Sequence, residues 1–123
     1  MEESILKSVK KILGLGNTYT VFDMDIVMHI NMAFSILNQL GVGPDAGFSI
    51  EDETALWSDY VLLSGQEPSL HLVKTYVFLK SRMLFDPPTT SFAIEAMNRQ
   101  IEQYEWRLNV AREEILYPLP EEV

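Results

Sequence analysis

The amino-acid sequence predicts an all-α fold, and three observations support that prediction. Apolar residues recur at three- and four-residue steps along most of the chain, which is the spacing of one helix face. The six glycines and six prolines fall between these segments, where helices would end. No segment alternates apolar and polar residues for long enough to build a sheet. We therefore expect a small bundle of about four to five helices, with a long C-terminal helix and an extended C-terminal tail.

The first two helices are predicted from apolar spacing and from end signals. Residues 5–13 form a short amphipathic helix that ends at Gly14. Thr20 is expected to cap the second helix, because its hydroxyl can accept a hydrogen bond from the first turn. This helix runs to about Leu40, and Gly41 follows because glycine readily adopts the left-handed backbone that ends a helix.

A glycine-rich segment, 41–52, separates the second helix from the third. Three glycines within seven residues indicate a mobile or functional loop rather than part of the core. The third helix is predicted around residues 53–63 and carries Trp57. The acidic run 51–53 is interpreted as the start of this helix, where carboxylates favour the positive helix end.

Two adjacent prolines separate the last two helices. The fourth helix begins near Ser69 and ends at Phe85, because Pro87 and Pro88 remove backbone donors and force the preceding residue out of helical geometry. The fifth and longest helix covers about residues 89–114. Residues 115–123 are then expected to form the extended tail.

For two helices, the sequence does not decide which apolar residues belong to the core and which to a subunit interface. The fifth carries a continuous apolar seam, which is interpreted first as its contribution to the core. Trp106 lies off this seam and therefore meets either another helix or an interface. The second helix is apolar on two sides, and its offset stripe suits an adaptable contact because methionine repacks at low cost. The candidate subunit interface comprises Met24, Met28, Met32, Ile36 and Trp106.

No group of residues matches a catalytic, cofactor-binding or metal site. His29 and His71 each lack a second ligand at helical spacing, so both are interpreted as structural. Asp23 and Asp25 are two positions apart and point to different sides of a helix. The absence of cysteine excludes a disulfide scaffold, a thiolate metal site and a cysteine nucleophile. We therefore expect that the protein is not an enzyme and uses no cofactor.

The composition fits one soluble globular domain, residues 1–123, with 47% hydrophobic residues. The chain begins with acidic residues rather than a secretory signal, and no apolar run reaches the roughly 20 residues of a membrane helix. We therefore expect synthesis in the cytosol and no membrane partner. The net charge of −9 disfavours nucleic-acid binding as the main activity, because phosphates repel an acidic surface.

The charges are unevenly distributed along the chain. Between Lys11 and Lys74 every charged residue is acidic, and the basic residues flank this block. Such asymmetry suits oriented docking or a negatively lined surface.

Several short segments, taken in order, form a pattern. They are Phe22–Asp25, Asn38–Pro44, Phe48–Asp52, Trp57–Asp59, Val73–Val77, Leu84–Pro88 and Glu105–Asn109. In this order and spacing, the chain from about Ile5 to Asn109 resembles the head-tail connector proteins, also called adaptor or head-completion proteins, of tailed double-stranded DNA bacteriophages and prophages.

The resemblance implies a structural virion protein at the head-tail interface, present in the host cytoplasm before assembly. It implies a homo-oligomeric ring of about a dozen subunits beneath the portal protein. Such a ring extends the DNA channel and gives neck or tail-completion proteins a platform. Double-stranded DNA would pass through the lumen without specific binding, and the family has no catalytic residues to transfer.

Two sets of site residues follow from this resemblance. Four acids of the central block are candidates for the channel lining or for a partner loop: Asp45, Glu51, Asp52 and Asp59. In relatives the part after the long helix reaches the portal, which maps by position onto a candidate portal-docking tail: Ile115, Leu116, Tyr117 and Leu119. The alternative hypothesis is a standalone helical interaction or regulatory module encoded by a phage or prophage, which would bind its partner through the methionines.

Overall fold

The computed structural model describes residues 3–64 and 70–116, with side chains through Val110. Five α-helices make up this part of the chain: α1 Ile5–Ile12, α2 Asp23–Gln39, α3 Trp57–Ser64, α4 Leu70–Phe85 and α5 Ser91–Leu116. The same ranges contain no strand, only an isolated bridge between Ser4 and Leu56. The prediction of an all-α fold is confirmed.

α1 is amphipathic and is held at both ends by local features. The Ser4 hydroxyl accepts a hydrogen bond from the Lys7 backbone N–H at 3.2 Å, which satisfies one free amide of the first turn. Ile5 and Val9, on the apolar side of the helix, are fully buried. Gly14 follows with a φ of 82°, as predicted for the end of this helix.

The start of α2 differs from the prediction. Thr20 is not the cap, because the helix begins at Asp23 and no side-chain hydrogen bond caps it. The Asp23 carboxylate instead lies 2.8 Å from the ammonium group of Lys10, whose side chain is only 2% exposed. A buried cation needs a close counter-ion because burial removes its hydration. This ion pair therefore joins α1 to the first turn of α2.

The 41–56 segment has no helix, but it is packed into the core. It begins at Gly41, whose φ of 80° ends α2 as predicted. Val42 and Ile50 are both 3% exposed. The Asn31 side chain donates to the Ile50 carbonyl at 2.9 Å and accepts from the Ile50 N–H at 2.8 Å. The prediction that this segment lies outside the core is therefore wrong at its buried positions.

Gly43 is required where this segment passes Tyr60. Its φ is 93°, which side chains rarely tolerate, and an added β-carbon would lie 2.7 Å from the Tyr60 hydroxyl oxygen. Tyr60 is 1% exposed, so its ring is confined by surrounding atoms. Glycine is the residue that fits here without displacing the ring.

α3 begins later than predicted, at Trp57 rather than near Glu53. The Trp57 backbone N–H donates to the carbonyl of Glu3 at 3.1 Å, a contact between distant parts of the chain. The Asp59 carboxylate accepts from the Leu56 N–H at 2.9 Å and so binds a free amide at the helix start. The acidic run therefore precedes α3 instead of starting it.

Aromatic side chains fill the core beneath α3. Phe34 contacts Phe48 and Tyr60 with ring centroids 5.0 Å and 5.2 Å apart. The Trp57 indole N–H donates to the Ser8 hydroxyl at 3.0 Å, so the buried polar atom of this ring is paired. These contacts join α1, α2, α3 and the 41–56 segment.

α4 packs against both α2 and α5, and these two outer helices run in the same direction. At one end, Phe22 before α2 meets Phe85 of α4 with ring centroids 5.3 Å apart, and the chain then turns at 86–90 into α5. At the other end, the Asn109 side chain of α5 donates to the Leu40 carbonyl after α2 at 3.5 Å. α2 and α5 are therefore parallel and level with each other.

The predicted apolar seam of α5 faces the core where its side chains are described. Ile101 and Leu108 are buried. Met97 and Tyr104 are partly buried against the same core, and Ile94 is half-buried. On α4, the Tyr76 hydroxyl donates to the Glu105 carboxylate of α5 at 2.7 Å. Burial, with this hydrogen bond and the carboxylate charge, raises the pKa of Tyr76, which therefore keeps its proton.

Candidate interaction surfaces

The methionine stripe of α2, which comprises Met24, Met28 and Met32, faces outward. The exposed fractions of its three side chains are 82%, 67% and 50%. The opposite side of α2, which includes Ile26 and Ile30, is fully buried. The structure thus assigns one apolar side of α2 to the core and leaves the other uncovered by any described residue. Among the predicted interface residues, Ile36 differs because it is partly buried against the core.

A second apolar surface lies on the outer side of α5. Trp106 is 67% exposed, in agreement with its predicted position off the seam. Phe92 is 78% exposed and Arg99 is also exposed. Each of the three is seven residues from the next, so they share one helix side, opposite Ile101 and Leu108. We call these three residues the α5 stripe.

Sequence reasoning missed Phe92 as part of this surface. The signal that could have found it was its spacing of two heptads from Trp106. That spacing places both aromatic rings on one helix side, but it does not show that the side is free of neighbours. The exposure follows from the packing of α5, which meets α4 through its opposite side.

The four predicted channel acids are all exposed, and two of them stabilise local structure. Asp52 accepts hydrogen bonds from the Thr54 hydroxyl and backbone, which lower the pKa of its carboxyl group. Asp59 accepts from the N–H of Leu56. Asp45 and Glu51 are exposed in the 41–56 segment. All four can therefore present negative charge to solvent or to a partner.

Two of these acids border the methionine stripe. Glu51 and Asp52 line a shallow groove whose other residues are Leu6, Asp23, Met24, Val27 and Glu53. Asp45 and Asp59 are not part of this groove. The structure therefore places acidic groups beside the first methionine, while the remaining two acids lie elsewhere on the 41–56 segment and α3.

The predicted portal-docking tail lies mostly outside the described residues. α5 extends to Leu116, so Ile115 and Leu116 end a helix rather than start an extended tail, and that boundary was wrong. A helix continues there because the first proline after it is residue 118. Tyr117 and Leu119 lie outside the part of the chain that the structure describes.

The two histidines occupy different environments. His29 contacts the ring of Phe85, with centroids 6.4 Å apart, and His71 is exposed at the start of α4. Within the described ranges, no three histidine, aspartate or glutamate side chains come close enough to hold a metal ion. No described helix combines the length and apolarity that crossing a bilayer demands.

One known protein family matches most of the chain. The family model described as "Phage connector protein" matches residues 5–115. The chain belongs to the phage connector protein family. No curated protein and no solved structure shows significant similarity to it.

Membership in the phage connector family gives the protein a head-tail connector role. The family is structural, and its members assemble with other virion proteins. The match covers the five described helices up to residue 115 and thus includes both the methionine stripe and the α5 stripe. The resemblance inferred from short segments of the sequence is therefore confirmed at the level of the family.

Proposed function

We propose that this phage connector protein is the subunit of a homo-oligomeric ring that lies beneath the portal protein and extends the DNA channel. The observation that carries this proposal is the methionine stripe. The inner side of α2 already packs in the core, and the three methionines on its outer side are left exposed by the described part of the chain. Contiguous apolar surface of this kind is typical of protein interfaces, and methionine adapts to a partner surface.

Self-assembly can be tested by changing the middle of this stripe. We expect wild-type protein, alone or with the portal protein, to form annular particles in negative-stain microscopy. Met28→Glu should abolish them, because it places a charge in an apolar contact. Met28→Leu should retain them, because it keeps the volume and the apolar character. Monomeric wild-type protein that neither forms rings nor binds the portal would support the standalone module instead.

Within such a ring, the negative charge of the exposed acids would have a function. Asp45, Glu51, Asp52 and Asp59 would line part of the lumen, so that DNA slides without binding because like charges repel. Neutralising all four to amides should increase DNA retention by isolated rings at low salt. A control variant in which three other exposed acids, Asp86, Glu95 and Glu102, are changed to amides should not. Equal retention by both variants would contradict the lumen assignment.

The C-terminal residues are proposed to bind the portal protein. Their position after α5, the last described helix, supports this assignment, and extended segments with apolar side chains commonly dock into partner grooves. Deleting residues 117–123 should abolish portal binding and leave ring formation intact. Unchanged portal affinity in a pull-down would place the docking surface elsewhere.

The remaining parts of the proposal concern the assembled virion. The ring would give neck or tail-completion proteins a platform, and the subunit would occupy the host cytoplasm before assembly. Residues 1–123 would act as one domain, which is supported by the shared core of α1, α2, α3, α4 and α5. A single calorimetric transition, with equal calorimetric and van't Hoff enthalpies, is the expected result for a monomeric variant.

A further inference from the structure

The two exposed stripes lie at the same level of the molecule. Leu40 and Asn109 are in contact, and both helices rise equally per residue. Counting back from these two residues places Phe92 at about the level of Asp23 and Met24. The first half of the α5 stripe is therefore level with the methionine stripe.

The two stripes cannot contact each other within one subunit. Each lies on the side of its helix opposite the buried residues, and those buried residues pack toward a common core. The stripes therefore face different outward directions. A second copy of the chain, moved sideways without a change of level, would bring its α5 stripe to the methionine stripe of the first.

Each stripe carries one exposed charge of opposite sign. Asp25 is exposed next to Met24 and Met28, and α2 contains no lysine or arginine. Arg99 is exposed within the α5 stripe, and the exposed Glu95 and Glu102 lie one helical turn away on either side. Neither Asp25 nor Arg99 forms an ion pair with any residue in the described ranges. Arg99 is about 7 Å along the axis from the level of Asp25, within reach of a side chain that leans toward the helix start.

We propose that the α5 stripe of one subunit packs on the methionine stripe of the next. Phe92 lies against Met24 of the neighbour, where sulfur and aromatic ring attract each other, and Arg99 pairs with Asp25. The contact joins two different surfaces. A subunit that uses one of them still has the other free for a further subunit, so the contact can repeat. This pairing rests on the proposed ring and assigns the surfaces that would build it.

The absence of cysteine from the chain allows a direct test by disulfide trapping. Two single-cysteine proteins, Met24→Cys and Phe92→Cys, are mixed and oxidised, and dimers are separated by mass. We expect heterodimers about tenfold in excess of a control mixture, because a complex raises the effective concentration of the two thiols. The control pairs Phe92→Cys with His71→Cys, an exposed position at the other end of the bundle.

The possible outcomes separate this pairing from the ring itself. Heterodimers at the control level, or Met24→Cys homodimers in excess of heterodimers, would overturn the pairing. If the pairing fails in this way but wild-type protein forms annular particles, the ring is supported and must use other contact surfaces. Excess heterodimers from a protein that never forms annular particles would support the pairing and contradict the ring.

A charge exchange tests the polar part of the same contact. Arg99→Glu should weaken self-association several-fold in sedimentation experiments, because it faces Asp25 with a like charge. Adding Asp25→Arg to that variant should restore association. A double variant as weak as the single one would contradict the pairing of these two residues.

Discussion

The 41–56 segment and the outer side of α2 show opposite relations between secondary structure and burial. The segment has no helix, yet Val42 and Ile50 are buried and Asn31 holds the Ile50 backbone. The outer side of α2 is regular helix, yet its methionines are exposed. Burial in this protein therefore does not follow secondary structure. It depends on which surface finds a neighbour inside the subunit, and the methionine stripe finds none among the described residues.

Ile50→Ala is the change with the largest expected effect on stability in this comparison. It leaves a cavity where a buried side chain packed, and we expect a loss of about 3 kcal/mol in the free energy of unfolding. Urea unfolding measures this loss. Ile50→Val is the matched control, with an expected loss of about 1 kcal/mol. A loss below that of the control would mean that the segment is not anchored in the core.

Asn31→Ala tests the polar anchor of the same segment. It removes both hydrogen bonds to the Ile50 backbone and leaves a buried donor and acceptor unpaired, so we expect a loss of about 2 kcal/mol. The measurement is urea unfolding, together with amide hydrogen exchange at residue 50. Asn38→Ala, at an exposed position of α2, is the control and should change stability little.

Gly43→Ala should destabilise the protein by about 1 kcal/mol. The new β-carbon meets the Tyr60 hydroxyl, and the backbone there has a positive φ. Gly14→Ala is the matched control, because Gly14 also has a positive φ, of 82°, but an added β-carbon meets nothing within 4 Å there. Thermal unfolding of the two variants should differ, and equal midpoints would show that Tyr60 moves away freely.

Met28→Gln should change the stability of the monomer by no more than about 0.5 kcal/mol, because the side chain is largely exposed. The substitution should weaken assembly, because the glutamine amide loses its hydration when the subunit contact buries it. Unfolding of the monomer and sedimentation at high concentration check the two parts separately. A large loss of monomer stability would show that this side of α2 belongs to the core.

Asp52→Asn should have the smallest effect, and one that depends on pH. The hydrogen bonds from Thr54 lower the pKa of Asp52 below its ordinary value of 3.8. The carboxylate therefore stabilises the folded protein above that pH, and the contribution is lost as the pH falls through the lowered pKa. Asp52→Asn should lack this small acid-side decrease in urea unfolding, and Thr54→Ala should reduce it. An unchanged pH dependence would show that the turn contributes nothing measurable.

Local signals in the sequence predicted most helix boundaries correctly. The ends of α1 and α2 follow from Gly14 and Gly41, and the end of α4 follows from the prolines at 87 and 88. These signals act within a few residues, so they can be recognised without knowledge of the fold. The all-α class followed from the same spacing of apolar residues.

Two of the errors occurred where a distant residue decides the local structure. Thr20 is an acceptable cap in isolation, but Asp23 is held by Lys10 of another helix, and α2 starts there. The start of α3 depends on contacts of residues 3–5 with residues 55–57. Both outcomes require tertiary contacts, which spacing along the chain does not reveal.

The candidate surfaces were predicted only in part, for a related reason. Spacing identified the methionine stripe as a separate side of α2, but it could not decide which of two apolar sides was buried. Ile36 was included in the stripe, although it packs against the core. Phe92 was overlooked because exposure is a property of the whole fold rather than of one helix.

The two tryptophans of the chain have contrasting environments, and this gives the protein two distinct optical probes. Trp57 is 1% exposed and Trp106 is 67% exposed. Fluorescence of Trp57 should therefore be shielded from a soluble quencher such as iodide until the protein unfolds. Fluorescence of Trp106 should be quenched in the monomer and become protected when another subunit covers α5. With Trp106→Phe as the reference, folding and assembly can be followed separately in the same unlabelled sample.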